Sequence, residues 1–212
     1  MQVFVHSEAG DRHANEDAHV IEPHPELQDM LLVSLSDGQG GQFGGAQAGR
    51  TAAQTAVKLA ASCGPRELLK ETAWLPIIAG ADDAVAEDPA AGYSTLVALV
   101  VSNRSLAGAS VGDSAAFLRS DGQDRLLTDD QRKNPPVGSG SAYPIGFSAS
   151  LRSPWTLLVV SDGVYRYIGW EFIASLVDRH RGRDLLEALV KAQKDSHRGV
   201  LGDDFTALLV QG

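Results

Sequence analysis

The chain of 212 residues has a single cysteine, Cys63, and no apolar run that approaches the length of a membrane span. One cysteine excludes an internal disulfide, and a transmembrane helix needs about 20 predominantly apolar residues. The first ten residues also lack the basic stretch and following apolar run that mark a secretory signal peptide. We therefore expect a cytoplasmic protein without a membrane partner.

Positive charge is also scarce, because 18 Lys and Arg stand against 27 Asp and Glu and give a formal net charge of -9. Binding to nucleic-acid phosphates depends on clustered cations, so this balance argues against a nucleic-acid partner. The hydrophobic fraction of 43% is ordinary for a globular protein and excludes a disordered chain. At roughly 150 residues per domain, the length predicts a single domain over residues 1–212.

The apolar pattern predicts strands in several groups, with helices between and after them. Strands are predicted at 3–6, 17–21, 30–35, 94–101, 105–111, 115–119, 125–127, 156–160 and 205–210, and helices at 44–63, 65–88, 170–181 and 183–194. Pro76 is expected to kink or split the second helix. Residues 129–150 show no sustained period and are predicted to form a long functional or mobile loop. This order of elements predicts an α+β layered fold without strict βαβ alternation.

Two apolar strands end in the same tripeptide, Ser-Asp-Gly, at residues 36–38 and 161–163. An acid at the exit of a buried strand is held on a rigid element, so the two strands could aim Asp37 and Asp162 into one cleft. Asp-Gly is also a common turn signal, as at Asp121, and either copy alone is ambiguous. The repeated context favours a shared site.

Two further acidic pairs lie at strand ends, Glu16 with Asp17 and Asp203 with Asp204. If the carboxylates converged without counter-ions, each close pair would cost about 4 kcal/mol at a separation of about 4 Å and an effective dielectric of 20. Such a site would need metal. The histidines show no paired ligand spacing, so an oxygen-only ligand set favours Mg²⁺ or Mn²⁺ over zinc. Two ions bridged by a carboxylate suit in-line attack on a phosphoryl group, with Arg12 as a clamp for the phosphate.

The motifs that contain these residues resemble, in order, those of metal-dependent protein phosphatases of the protein phosphatase 2C type. They are Arg-x-x-Asn-Glu-Asp at 12–17, Ser-Asp-Gly-x-Gly-Gly at 36–41, Val-Gly-Asp-Ser at 111–114, Ser-Asp-Gly-Val at 161–164 and Gly-Asp-Asp-x-Thr at 202–206. Residues 93–95, Tyr-Ser-Thr, resemble the Gly-Thr-Thr element of that family. The resemblance implies a four-layer α/β/β/α sandwich of two mostly antiparallel sheets flanked by helices.

The same resemblance implies a Ser/Thr protein phosphatase that hydrolyses phosphomonoesters on phosphoproteins with a water activated by two Mg²⁺ or Mn²⁺ ions. Its catalytic residues would be Arg12, which holds the phosphate, Asp17, which supports the waters, and Asp37, which bridges both ions. The other metal ligands would be Glu16, the carbonyl of Gly38, Asp162 and Asp203, with Asp113 as the candidate for a third ion. The substrates would be phosphoproteins of a cognate Ser/Thr kinase, and the enzyme would be a monomer.

Several positions depart from the family pattern. Arg166 stands where many members have the second Asp of Asp-x-x-x-Asp, which argues against a third ion at Asp113. Ala115 replaces an Arg, and Asp204 stands where Asn is usual. Gln39 occupies a position where some members place a His proposed to protonate the leaving group. Since Gln cannot donate that proton, a water on the metal would have to do so.

Three alternatives remain open at this point. The departures from the family pattern and the short 129–150 segment permit a weakly active or inactive phosphatase-like regulatory or binding module. If the enzyme is active, the short segment predicts an open site with weak peptide selectivity. The glycines between 38 and 49 loosely imitate a dinucleotide-binding turn, but Phe43 breaks the required spacing. Residues 108–112 match the Gly-x-Ser-x-Gly elbow of serine hydrolases, yet a strand is predicted where the elbow needs a helix.

Overall fold

A computed structural model of the chain describes residues 1–11, 14–39, 43–131 and 133–212. Within them, ten strands form two antiparallel sheets of five strands each. The strands are β1 (Gln2–Glu8), β2 (Asp17–Pro23), β3 (Leu31–Asp37), β4 (Leu96–Val101), β5 (Ser105–Val111), β6 (Ala115–Ser120), β7 (Gln123–Leu126), β8 (Ile145–Ser150), β9 (Trp155–Val160) and β10 (Phe205–Gln211). One sheet has the order β1-β10-β9-β6-β7, and the other has the order β2-β3-β4-β5-β8.

Helices cover the outer face of each sheet. They are α1 (Gly45–Ala61), α2 (Pro65–Leu68), α3 (Trp74–Ala86), α4 (Asp162–Tyr165), α5 (Trp170–Arg179) and α6 (Gly182–Ser196), with a 3-10 turn at Glu71–Ala73. The helices α1 and α3 pack on the second sheet, and α5 and α6 pack on the first. The α+β fold with four layers, α/β/β/α, is therefore confirmed.

The direction of the side chains in the central strands explains the four layers, because successive side chains of a strand point to opposite faces of the sheet. In β3, Val33 and Leu35 pack into the core between the sheets, whereas Leu32 packs against the helices. In β9, Leu157 packs between the sheets and Leu158 packs against α5 and α6. A strand with apolar residues on both faces must be covered on both faces, and that requirement produces the sandwich.

Small side chains bring α1 close to the sheet beneath it. Ala48, Ala52, Ala56 and Ala60 repeat every four residues and are all fully buried. Residues spaced by four lie on one face of a helix, so these alanines present only methyl groups to the apolar layer that they share with Leu32 of β3 and with α3. Gly49 of the same helix lies so close to β2 that a Cβ atom there would be 2.9 Å from the carbonyl oxygen of Glu16. The close approach places the start of α1 beside the end of β3, where the candidate site lies.

Two predictions of local structure were wrong in part. The long loop predicted at 129–150 ends early, because residues 145–150 form β8 and pair with β5 at the edge of the second sheet. The helix predicted at 65–88 splits, but at residues 69–73 and not at Pro76. Pro76 lies in the first turn of α3. Backbone N–H groups in the first turn make no hydrogen bond within the helix, so a proline there removes none. None of the described helices has both the length and the apolar character needed to cross a lipid bilayer.

Candidate metal centre

Two of the predicted acids face each other across neighbouring strands of the second sheet. Asp17 begins β2, Asp37 ends β3, and the two residues are direct partners in the antiparallel register. Directly opposed residues project on the same side of a sheet with their Cβ atoms about 5 Å apart. Strand pairing therefore brings Asp17 and Asp37 together, and Glu16 immediately precedes the pair.

The other acids come from the first sheet or from the connection between the sheets. Asp162 follows β9 and opens α4, and Asp203 precedes β10, which pairs with β9. Asp113 lies between β5 of one sheet and β6 of the other. Asp37, Asp113, Asp162 and Asp203 line one cleft of about 210 Å³, together with Gly38. The two Ser-Asp-Gly strands thus converge on one cleft, as the sequence predicted, and the structure adds that they belong to different sheets.

The carboxylates in this cleft repel one another. Burial raises the pKa of Asp37 to about 9, and the charges of the neighbouring aspartates add to the rise. Burial likewise raises the pKa of Asp17 to about 7, despite hydrogen bonds from Thr206 and Ser161 that act in the opposite direction. The pKa of Asp162 is raised mainly by burial and then by Asp113 and Asp203. Excess negative charge in a partly buried cleft is an environment that favours cations.

Hydroxyl groups fix the backbone and side chains of the central acids. Asp37 donates its N–H to Thr95 Oγ1 at 2.9 Å, and its carbonyl accepts a hydrogen bond from Ser94 Oγ at 2.7 Å. On the other sheet, Ser161 Oγ donates to Asp17 Oδ2 at 2.8 Å. These bonds join the 93–95 element and the second Ser-Asp-Gly tripeptide to the Asp17 and Asp37 pair, so the pair is rigidly oriented.

Asp204, which the sequence suggested as an additional charge in the site, does raise the pKa of Asp17 by its charge, and it also has a second role. It is 3% exposed, and its Oδ1 and Oδ2 atoms accept the backbone N–H groups of Gly10 at 2.9 Å and Glu16 at 2.8 Å. A carboxylate that accepts two backbone N–H groups is well satisfied in a buried position. Asp204 therefore anchors the segment that carries Glu16 to the start of β10.

The glycine after each aspartate is required by close packing of the backbone. A Cβ atom at Gly38 would lie 2.3 Å from the carbonyl oxygen of Gly45, and one at Gly163 would lie 2.0 Å from that of Asp204. By contrast, Asp121 and Gly122 have φ angles of 55° and 70°, and Gly122 has open space around it. Asp121-Gly122 is therefore an ordinary hairpin turn, whereas the two glycines at the site allow α1 and β10 to approach the acids.

Two cations from the described part of the chain lie among these acids. Lys133 Nζ is 2.6 Å from Asp113 Oδ2, and Arg166 Nη1 is 3.3 Å from Asp162 Oδ2 and 4.0 Å from Asp203 Oδ2. The side chains of Lys133 and Arg166 are 71% and 61% exposed, so their charges remain well solvated. Both cations lie at the mouth of the cleft and not in its interior. Arg12, predicted to hold the phosphate, lies outside the described residues.

The donor set fits divalent ions that prefer oxygen. Asp17 Oδ1 is buried and accepts no hydrogen bond from the described residues, which is costly unless a cation approaches. The described residues contain no three His, Cys, Asp or Glu side chains already arranged around one ion. Each ion would therefore combine few side chains with carbonyl and water oxygens, a coordination that Mg²⁺ accepts because it keeps several waters. The residues fit Mg²⁺ or Mn²⁺ and do not suit zinc.

The serine-hydrolase and dinucleotide alternatives lack the geometry that they need. Ser110 is 1% exposed inside β5, and β6 follows three residues after that strand ends, whereas a nucleophile elbow leads into a helix. Asp37 and the acids around it occupy the end of the strand that would carry a dinucleotide pyrophosphate, so negative charge would oppose binding.

Some residues of the site were missed by sequence reasoning. Lys133 was not singled out, although it falls in the 129–150 segment that was predicted to be functional. Ser161 was seen only as part of a tripeptide, and its bond to Asp17 joins residues 144 positions apart. No local signal identifies such a partner, because only the packing of the two sheets creates it.

Comparison with known proteins identifies the family and the fold of this chain. The sequence profile of the Protein phosphatase 2C family matches residues 6–201. No individual curated protein matches the chain.

Solved structures share the fold over nearly the whole chain. A bacterial serine phosphatase superposes with a TM-score of 0.82 at 20% identity, covering 100% of this chain and 97% of that one. The serine/threonine phosphatase Stp1 from Staphylococcus aureus gives 0.82 and 20%, covering 100% and 95%. The catalytic domain of the serine/threonine protein phosphatase PstP, in complex with two manganese ions, gives 0.78 and 20%, covering 99% and 97%. With the family profile spanning most of its length, this chain belongs to the protein phosphatase 2C family.

Proposed function

We propose that the acidic cleft is the catalytic centre of a Ser/Thr protein phosphatase that depends on two divalent metal ions. Membership of the protein phosphatase 2C family makes the chain a phosphoprotein phosphatase. The observation that carries the assignment to this cleft is the buried Asp37, whose pKa is raised by burial and by four neighbouring aspartates. A group so placed favours a cation beside it.

The ligand assignment proposed for the two ions follows from the elements that meet at the cleft. Asp37 would bridge both ions from the end of β3, and Glu16 with the carbonyl of Gly38 would complete one of them. Asp162 and Asp203, which come from the other sheet, would complete the second. When bound, two such ions supply an activated water and neutralise charge on the phosphoryl group. We expect two ions and no third, because Arg166 stands where many family members have a further acid, and Asp113, the remaining candidate ligand, pairs with Lys133 at 2.6 Å.

Side chains of the protein would orient the water and bind the phosphate. Asp17, held by Ser161, is placed to orient water through its free Oδ1 atom. Arg12 would clamp the phosphate through two parallel hydrogen bonds. Gln39 is exposed near the cleft and has no acidic proton, so the leaving alcohol would take its proton from water and not from this side chain.

The setting proposed for the enzyme is a cytoplasmic monomer of one domain that acts on the substrates of a Ser/Thr kinase. A lone, half-buried Cys63 supports a reducing compartment. Mg²⁺ and Mn²⁺ both prefer carboxylate, carbonyl and water oxygens, so either ion suits the proposed ligands.

Asp37→Asn tests the assignment. The amide keeps the shape but cannot carry the charge that bridges two cations, so Mn²⁺-dependent hydrolysis of p-nitrophenyl phosphate and of a phosphothreonine peptide should fall by at least about 100-fold. Asp121→Asn is the matched control, since it makes the same change in an Asp-Gly turn with a positive φ that Asn tolerates. The control should retain wild-type rates.

Two results would contradict the assignment. One is an Asp37→Asn variant that still turns over in Mn²⁺ at the wild-type rate. The other is wild-type protein that binds Mn²⁺ at this cleft but releases no phosphate from either substrate, which would favour a binding module with the phosphatase fold.

A further inference from the structure

A buried aspartate outside the acidic cleft holds a loop that lines it. Asp82 lies on the apolar face of α3 and is 3% exposed, among neighbours that include Ile78 and Val85. An ionisable side chain in an apolar layer is unfavourable unless its oxygens are hydrogen-bonded. Helix packing alone would be served as well by an apolar residue, so the partners of Asp82 indicate its role.

All three hydrogen bonds made by Asp82 in the described structure go to backbone N–H groups of one short segment. Its Oδ1 atom accepts from Gly138 at 2.6 Å and from Gly140 at 3.2 Å, and its Oδ2 atom accepts from Ala142 at 2.9 Å. We name residues 133–142 the cleft loop. Gly138 and Gly140 have φ angles of 99° and 67°, so the loop has conformational freedom that these bonds remove.

The cleft loop extends from Asp82 into the catalytic cleft. Lys133, Asn134 and Pro136, at its beginning, line the cleft. Val137 and Ser94 exchange backbone hydrogen bonds at 3.0 Å in both directions. Ser94 in turn donates to the carbonyl of Asp37, so the loop is tied to the metal centre at one end and to α3 at the other.

We propose that Asp82 is a positioning residue that fixes the cleft loop in the place where the peptide portion of a phosphoprotein substrate binds. This inference rests on the function proposed above and goes beyond it. Because Asp82 touches no metal ligand, its loss should leave the chemistry at the ions intact. Its loss should weaken the binding of substrates that reach past the phosphate to the loop, since a loosened loop must be ordered again on binding.

Asp82→Asn and Asp83→Asn form a matched pair for the test. Asp83 is the next residue of the same helix and is exposed, so its substitution removes the same charge without touching the loop. We expect Asp82→Asn to raise KM for a phosphothreonine peptide on the order of tenfold. The kcat values for that peptide and for p-nitrophenyl phosphate, and Mn²⁺ affinity measured by calorimetry, should stay within about twofold of wild type. Asp83→Asn should match wild type throughout.

Amide hydrogen exchange supplies a readout independent of turnover. In the wild type, the amides of Gly138, Gly140 and Ala142 should be protected like those of the sheets, and Asp82→Asn should accelerate their exchange selectively. If Asp82→Asn does not fold, the wild-type exchange rates decide the question. Unprotected amides at these three positions would overturn the proposal.

Kinetics can also overturn it in two ways. An unchanged peptide KM in folded Asp82→Asn would show that the loop does not bind the peptide. A fall in kcat on both substrates with weaker Mn²⁺ binding would show that Asp82 acts on the metal centre. Absence of turnover in the wild type would instead refute the proposed function, and the exchange data would still report whether Asp82 holds the loop.

Discussion

At the scale of single residues, Arg166 pairs with two acids that are also proposed to bind a metal ion. Its guanidinium lies within 4.0 Å of carboxylate oxygens of both Asp162 and Asp203, the two acids that the first sheet contributes. A metal ion held by the same two acids would compete with it for their lone pairs. We therefore expect Arg166 to lower the affinity for a metal ion at the proposed ligands Asp162 and Asp203. The effect should be small, because the guanidinium is 61% exposed and its charge is well solvated.

Replacing Arg166 by Met should therefore tighten Mn²⁺ binding at the Asp162 and Asp203 side by about two- to fivefold, the range given by exposed ion pairs. Isothermal titration calorimetry measures the change. Arg152→Met is the control, because it removes the same charge from an ion pair of similar length, 3.2 Å to Asp121, that is exposed on both sides and lies away from the cleft. Unchanged or weaker Mn²⁺ binding in Arg166→Met would mean that Arg166 supports the ligands and does not compete with the metal.

Sequence reasoning succeeded for the residues whose signal is local and failed for those whose partners are distant. Asp37 and Asp162 could be predicted because each follows a strand in which nearly every residue is apolar. Asp82 could not, because its carboxylate lies within an apolar helical stripe and its partners are 56 to 60 residues away. The anchoring role of Asp204 was missed for the same reason, and an unusual acid was interpreted only as additional charge.

At the scale of elements, the ends of strands and the starts of helices build the site. The α1 helix approaches β3 on a face of alanines, and α4 opens directly after β9, so each Ser-Asp-Gly tripeptide joins a strand to a helix. Nine of the ten described strands, together with α1, α5 and α6, were predictable from apolar spacing. The four-residue α4 was not predicted. The β8 strand was not, because residues 145–150 contain Gly and two Ser and pair only at a sheet edge.

Gly163→Ala tests whether close packing at the start of α4 matters. The added methyl group would lie 2.0 Å from the carbonyl oxygen of Asp204, so either α4 or β10 must shift. We expect a loss of about 2 to 4 kcal/mol in the free energy of unfolding, as for overpacked cores, measured by urea denaturation.

Gly64→Ala provides the control for that experiment. A Cβ atom at Gly64 meets nothing within 4 Å, and its φ of -65° suits any residue. Its free energy of unfolding should change by less than about 0.5 kcal/mol. Equal stability of Gly163→Ala and Gly64→Ala would contradict the importance assigned to this contact.

At the scale of the whole molecule, the acidic cleft couples stability to pH and to metal. The pKa of Asp37 rises from 3.8 to about 9 in the folded chain, so between these values the folded chain holds a proton that the unfolded chain has lost. In chelator, stability should therefore fall as pH rises through this range. Differential scanning calorimetry should show a declining Tm, with a shallower decline in Asp37→Asn.

Saturating Mn²⁺ should restore the stability that the wild type loses in chelator as pH rises. At a free concentration 100 times the Kd, binding contributes about 2.7 kcal/mol, which is roughly 5 to 10 °C in Tm for a chain of this size. Asp37→Asn should gain much less. A wild-type Tm that responds neither to Mn²⁺ nor to chelator would count against the metal centre.

The bonds that Asp204 makes also bear on how the protein is made. They join residues 188 and 194 positions apart, and β1 pairs with β10 along its whole length. Contacts between residues so far apart in the chain form slowly. During translation, the hydrogen bond between Glu16 and Asp204 cannot form until Asp204 has left the ribosome. If the acidic cleft is the catalytic centre, as proposed, a nascent chain cannot complete it until β10 is available, and we expect no dephosphorylation by a partly synthesised chain.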